Sequence, residues 1–217
     1  MARISTCAKV LAISNTIFLL AIFSPLLSTA WWHIRHAGSI ETGGIRATVP
    51  WRWQARVSEG AIHIEKQPII LRVTRPLVSW VALAPVRNPP KGQVEAEELY
   101  AAFVSTYWSR LVIGDAVVSG PFRLGTGAKE CVCMQSVPKD NKDWFHLTCL
   151  ILRGAATADF HGNTQDRRTL FRDILDLPPP EDRPARVADD SGRTERFPVV
   201  FERVVFAEVR ETSRHYP

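Results

Sequence analysis

The chain is short of the signatures by which catalysis usually announces itself. Among its 217 residues there is no G-x-S-x-G, so no nucleophile elbow, and no H-E-x-x-H, so no zinc-protease helix. C-x-x-C is missing, which removes the common redox pair. The glycine turn Gly125-Thr126-Gly127 is too short for a phosphate loop and holds no lysine. These absences leave no cofactor to expect. There is no internal repeat. A strong charge of one sign is lacking too: 27 Lys+Arg against 22 Asp+Glu give a net +5, of which Arg3 and Lys9 supply two. Acidic residues are spread among the basic ones. The pI of 9.3 therefore describes a solvated mixed-charge surface, not a nucleic-acid face.

The most telling absence is of charge between Val10 and Trp32, VLAISNTIFLLAIFSPLLSTAWW. As one helix this run reaches the roughly 20 apolar residues that a bilayer requires. Arg3 and Lys9 precede it without an acidic residue, which favours a cytoplasmic N-terminus. Trp31 and Trp32 stand where amphipathic rings prefer the membrane–water interface. A cleaved signal peptide fits as well: Ser28-Thr29-Ala30 puts small residues at the -3 and -1 positions, and Pro25 breaks the helix before them. A buried core helix is the third reading, and so uncharged an opening run argues against it. The expected location is the inner membrane facing the periplasm or extracellular side, or secretion if the chain is cut after Ala30. Residues 10–32 are then the contact with the membrane. The expected organisation is an anchor or signal over 1–32, a connector over 33–43, an α+β domain over 44–180, and a linker with a strand-like tail over 181–217.

What is present suits one globular domain. The apolar fraction, 46%, is enough for a core. Ile45, Ala47 and Val49 alternate with polar residues, and Ala61 to Lys66 repeats the pattern after a turn at Glu59-Gly60. Ile69 to Val73 and Leu77 to Leu83 are short, β-branched and bounded by prolines, so both read as strands. Gln93 to Val112 reads as a helix: glutamates crowd its first turns, and Leu99, Phe103, Tyr107 and Leu111 recur every four residues. Asp115 to Leu124 resumes strand character. Glu130 to Val137 and Trp144 to Leu152 form a hairpin about the turn residues from Pro138 to Asp143. Gly154 to Gly162 adds a further strand. Asn163 or Thr164 caps a second helix that runs to Leu177, where Pro178-Pro179-Pro180 stops it.

Four cysteines are present. Cys7 precedes the apolar run, so it is not a lipoprotein cysteine. Cys131, Cys133 and Cys149 remain, an odd number that in an oxidising compartment means one bridge and one free thiol. A hairpin turn centred near Asp140 sets Cys131 opposite Cys149 and predicts that disulfide. A two-residue shift in pairing would put Cys133 there instead. The same residues with His146 make a four-ligand set of the kind zinc accepts, but C-x-C is not the usual structural spacing. His146 and Cys149 also point to opposite faces of a straight strand.

Two smaller candidates remain. Asp159 and His161 share one strand face and form a possible acid–base pair. Trp51 and Trp53 share a face if extended, and read either as core or as a binding surface.

The order of elements is strands, a helix, an antiparallel run of strands, and a second helix. With Val49-Pro50-Trp51-Arg52-Trp53 as an early strand and Phe171-Arg172-Asp173-Ile174-Leu175 in the closing helix, it resembles the Mog1/PsbP-like α/β/α sandwich family over Gly44 to about Leu177. The tail after Pro180 departs from that pattern. The resemblance implies an α+β fold, an antiparallel sheet with two main helices, and use in binding and assembly by exported or membrane-anchored proteins. No catalytic residues carry over. The function expected is a non-catalytic binding or assembly domain of the cell envelope, with an envelope protein as partner. The alternative is a metal- or thiol-dependent enzyme built on Cys131, Cys133, His146 and Cys149.

Overall fold

The computed structural model describes residues 6–71, 77–111 and 116–177. The expected linker and strand-like tail over 181–217 lie outside them. The fold is mixed α+β around a seven-stranded antiparallel sheet. Its strands are β3 (Trp53–Ser58), β4 (Ala61–Lys66), β5 (Trp80–Pro85), β6 (Ala116–Leu124), β7 (Cys131–Pro138), β8 (Trp144–Ile151) and β9 (Ala156–Asn163). They lie in the order β3-β4-β5-β9-β8-β7-β6. A two-stranded ribbon, β1 (Ser39–Thr42) and β2 (Ile45–Thr48), pairs separately from it.

Alternation decides which face each strand buries. In β4 and β9 every second residue is buried, so Ile62 and Ile64, and Ala156, Ala158 and Phe160, point to one side. The β3–β4 turn needs positive φ at both central residues, and Glu59 and Gly60 adopt it at 53° and 79°. One face is closed by an apolar core that includes Trp53, Ile64, Leu83, Phe145, Leu147, Phe160 and Phe171. The ribbon supplies Ile45 and Ala47 to it. On the other face lies α3 (Gln93–Leu111), which sets Ala96, Tyr100 and Phe103 against Val132, Met134 and Leu150. Helix α3 starts where the Glu95 carboxylate accepts from the Lys91 amide at 2.8 Å. Arg123 of β6 holds Glu97 by a two-pronged hydrogen bond.

The segment expected as a second helix is helical but not a regular α-helix. Asn163 caps a 3₁₀ turn, Thr164–Asp166, by accepting from the Gln165 amide. A π-helix follows over Thr169–Ile174, with Leu175 N–H reaching back to Leu170 O. Leu170, Phe171, Ile174 and Leu177 all face the core, the spacing by which a helical segment presents one apolar side. The expected strand over Ile69–Val73 does not form in its described part. Pro68 precedes it, and the Leu71 amide donates instead to Ile22 O at 2.7 Å.

The uncharged N-terminal run is two helices, α1 (Thr6–Ile22) and α2 (Ser24–His36), bent by 66° at Phe23. Pro25 sits in the first turn of α2, where a missing N–H costs least. Among the described residues no single helix is long and apolar enough to cross a membrane; the bent pair together meets that length and composition. Helix α2 is docked. Trp32 Nε1 donates to Ala55 O at 2.9 Å, and His33 Nε2 lies 3.1 Å from Trp53 O. A carbonyl only accepts, so His33 carries its proton on Nε2. Gln54 donates to Ser28 Oγ at 2.9 Å and to Thr29 Oγ1 at 3.3 Å. These bonds satisfy the outer edge of β3, an end strand of the sheet. The stretch read as a connector thus holds the last turn of α2 and all of β1.

Candidate functional site

The cysteines are joined differently from the expected pairing. Cys133, not Cys131, is bonded to Cys149. The register runs Ser136 to His146 and Cys133 to Cys149, so the hairpin centres on Asn141 and not on Asp140. One residue in the turn centre is two in the pairing, and Cys131 moves past Cys149. Cys131 is a buried free thiol, its sulfur 4.0 Å from that of Cys133. Burial pushes its pKa up to about 12, so it stays protonated and unreactive at neutral pH. His146 stands on the opposite face of β8 from Cys149. The four-residue ligand set is therefore not assembled. Among the described residues no group of three or more His, Cys, Asp or Glu is placed to hold a metal ion.

The tryptophan pair is also divided. Trp53 N–H donates to Pro50 O across a tight turn, with Arg52 at φ 72°. That turn reverses the chain between the two rings. Trp53 is 2% exposed and belongs to the core, whereas Trp51 is 58% exposed. Only Trp51 remains available as a binding surface. It stands 5.2 Å from the His33 ring and borders an open depression with Arg172 and Asp173.

The remaining constellation is on the α3 face of the sheet. Among the described residues helix α3 packs on the β7 and β8 part of that face, and the β9, β5 and β4 side chains there are half-buried or exposed. Register sets one row as His146, His161, Trp80 and Glu65, and the next as Thr148, Asp159, Ala82 and His63. Trp80 stacks on His161 at 6.1 Å and 17° between planes, and Trp144 packs on the same imidazole from 5.6 Å. His146 lies 6.1 Å from His161 and 6.4 Å from Tyr107 of α3. Asp159 Oδ1 accepts from Thr148 at 2.7 Å and stands 3.7 Å from His146 Nε2. Burial raises the Tyr107 phenol, with the neighbouring Ser136 and Thr148 side chains pulling it partly back. At the far end, burial lowers the pKa of His63, helped by Arg56.

Asp159 and His161 share this face of β9, but the imidazole that Asp159 approaches is that of His146. What the sequence did not reveal is the company they keep. Trp80 and His161 are 81 positions apart and meet only because β5 and β9 are neighbours. As chemistry, the group does not form a nucleophile relay. In a relay the imidazole stands between hydroxyl and carboxylate. Here the Thr148 hydroxyl donates directly to Asp159, and both approach the same ring nitrogen of His146. The arrangement is suited to recognition: two indoles, two imidazoles and a carboxylate on a shallow β surface. No protein-family model, curated protein or solved structure matches this chain.

Proposed function

We propose that the chain is a membrane-anchored, non-catalytic binding domain of the cell envelope. Helix α1 lies in the lipid, and the open half of the sheet face holds a protein partner. One observation carries the anchor. Val10, Leu11, Ile13, Ile17, Phe18, Leu19 and Leu20 of α1 are 52 to 63% exposed, apolar, and without a charged neighbour from Val10 to Ile22. A helix that is apolar all round needs an apolar surrounding, and the described residues do not supply one. Its 17 residues span about 25 Å, short of the roughly 30 Å hydrocarbon core, so α1 enters the lipid without crossing it alone.

Retention is favoured over cleavage after Ala30. Ser28 and Thr29, upstream of that bond, receive hydrogen bonds from Gln54 of β3, so the segment belongs to the fold. An α/β/α layering of the Mog1/PsbP-like kind is part of the same proposal. Its support is α3 against one face of the sheet and the π-helical segment against the other. The partner surface we assign is Trp80, Trp144, His146, Asp159 and His161, the aromatic and polar mixture typical of interface centres.

The test is fractionation of cells expressing the full chain, with a carbonate wash and N-terminal sequencing of the product. We expect the protein in the washed membrane pellet with residues before Val10 intact. Recovery in the soluble fraction, or a new terminus at Trp31, would overturn the anchor.

A further inference from the structure

We infer that the domain has a second membrane contact: the outer stripe of α2 together with the loop at Ile69–Leu71 forms a seat that rests on the bilayer surface. This rests on the reading of α1 as the membrane anchor and goes beyond it, because it fixes how the domain stands on the lipid.

The argument begins with the periodicity of α2. At about 100° per residue, Leu27, Trp31 and Ile34 fall within one narrow arc, and all three are exposed. Thr29, Trp32 and His33 fall on the opposite arc, and these are the residues docked on β3. The helix is thus divided into a protein side and an apolar side that has no partner among the described residues. Its tilt suits the interface. With α1 along the membrane normal, the 66° bend leaves α2 about 24° from the membrane plane, the complement to a right angle.

The loop adds an independent apolar element at the same level. Leu71 N–H is bonded to Ile22 O, the last residue of α1, which fixes the loop at the bend between the helices. Ile69, Ile70 and Leu71 are all exposed there. A folded domain that displays a continuous apolar stripe and an apolar loop beside an apolar helix is presenting an interaction surface.

Charge selects lipid as the occupant. From Val10 to Ile40 there is no acidic residue, and Arg35 lies at the rim of the α2 stripe. The sequence from Gln67 to Leu71 likewise has no acidic residue. Apolar residues whose bordering charge is basic complement an interface of acyl chains and anionic headgroups.

The experiment uses the full chain with Cys7→Ser, reconstituted in vesicles of phosphatidylethanolamine and phosphatidylglycerol. Single nitroxide labels are placed at Phe18→Cys, Ile34→Cys, Ile70→Cys and Val94→Cys, the last on the exposed side of α3 as a water reference. Accessibility to oxygen is compared with accessibility to a polar nickel complex. We expect the oxygen-to-nickel ratio at positions 34 and 70 to rise severalfold above that at 94, approaching the value at 18. A lipid-like label at 18 with water-like labels at 34 and 70 overturns the seat while leaving the anchor standing. A water-like label at 18 overturns the anchor, and the seat with it. Labels at 34 and 70 shielded from both reagents place a protein surface there and also overturn the seat.

Discussion

The two faces of the seven-stranded sheet are built from the same strands and end differently. One is closed over most of its width by the ribbon and the π-helical segment, and its core is apolar. The other receives one helix, and that helix is too narrow for the sheet. An α-helix with its side chains is about 10–12 Å across, and seven strands at about 4.8 Å spacing span roughly three times that. The composition changes within a single strand: Leu150 is fully buried under the helix, while Thr148, His146 and Trp144 of the same face are only partly buried, with Tyr107 of α3 6.4 Å from His146. The difference teaches that the polar residues are not scattered surface. They stand in two registered rows, on strands otherwise committed to the core.

That contrast can be broken by mutation. The largest effect is expected on the closed face. Phe171→Ala removes a fully buried ring and should cost about 3–5 kcal/mol, read as a lowered midpoint in urea with unchanged slope. A loss within about 1 kcal/mol would mean that the closed face is loosely packed. Next is the disulfide, which joins β7 and β8 on that same side. Replacing both Cys133 and Cys149 by alanine opens a link across 16 positions and should cost about 3 kcal/mol in the entropic account. Peptide mapping without reductant should recover the Cys133–Cys149 crosslink and an unlabelled Cys131, and a Cys131–Cys149 peptide would shift the β7–β8 register by two residues. The smallest effect on stability belongs to the open face. Trp80→Ala should change the urea midpoint by about 1 kcal/mol or less, while lowering capture of the membrane partner by about tenfold or more. Equal capture by the variant would remove Trp80 from the partner surface.

Local pattern made much of the architecture legible. Alternation in Ala61–Lys66 and Trp144–Ile151, and the four-residue repeat that ends in Phe103 and Tyr107, are short-range signals, and each produced its element. Three features escaped because they depend on a single residue or on distant pairing. The disulfide turned on whether the hairpin pivots at Asp140 or Asn141, which composition does not decide. Trp51 and Trp53 were separated by the positive φ of Arg52, a backbone state that no apolar pattern encodes. The Trp80–His161 stack needed β5 beside β9, a neighbour relation between strands far apart in sequence. Asp166 belongs with these. It is buried by a corner in which Lys66 bonds it at 2.5 Å and Ser79 at 2.6 Å, residues 100 and 87 positions away. Gly162 is required at that corner, since a Cβ there would collide with the Ser79 side chain.

The indole and imidazole that α2 lays along β3 have a practical implication for anyone shortening the chain. Trimming at the apparent end of the hydrophobic leader, around Trp32, would leave the carbonyls of Trp53 and Ala55 bare on a terminal strand. Such a rim invites a stray strand from another molecule to bind it, so the trimmed product should clump where the full-length chain, kept in detergent, stays dispersed.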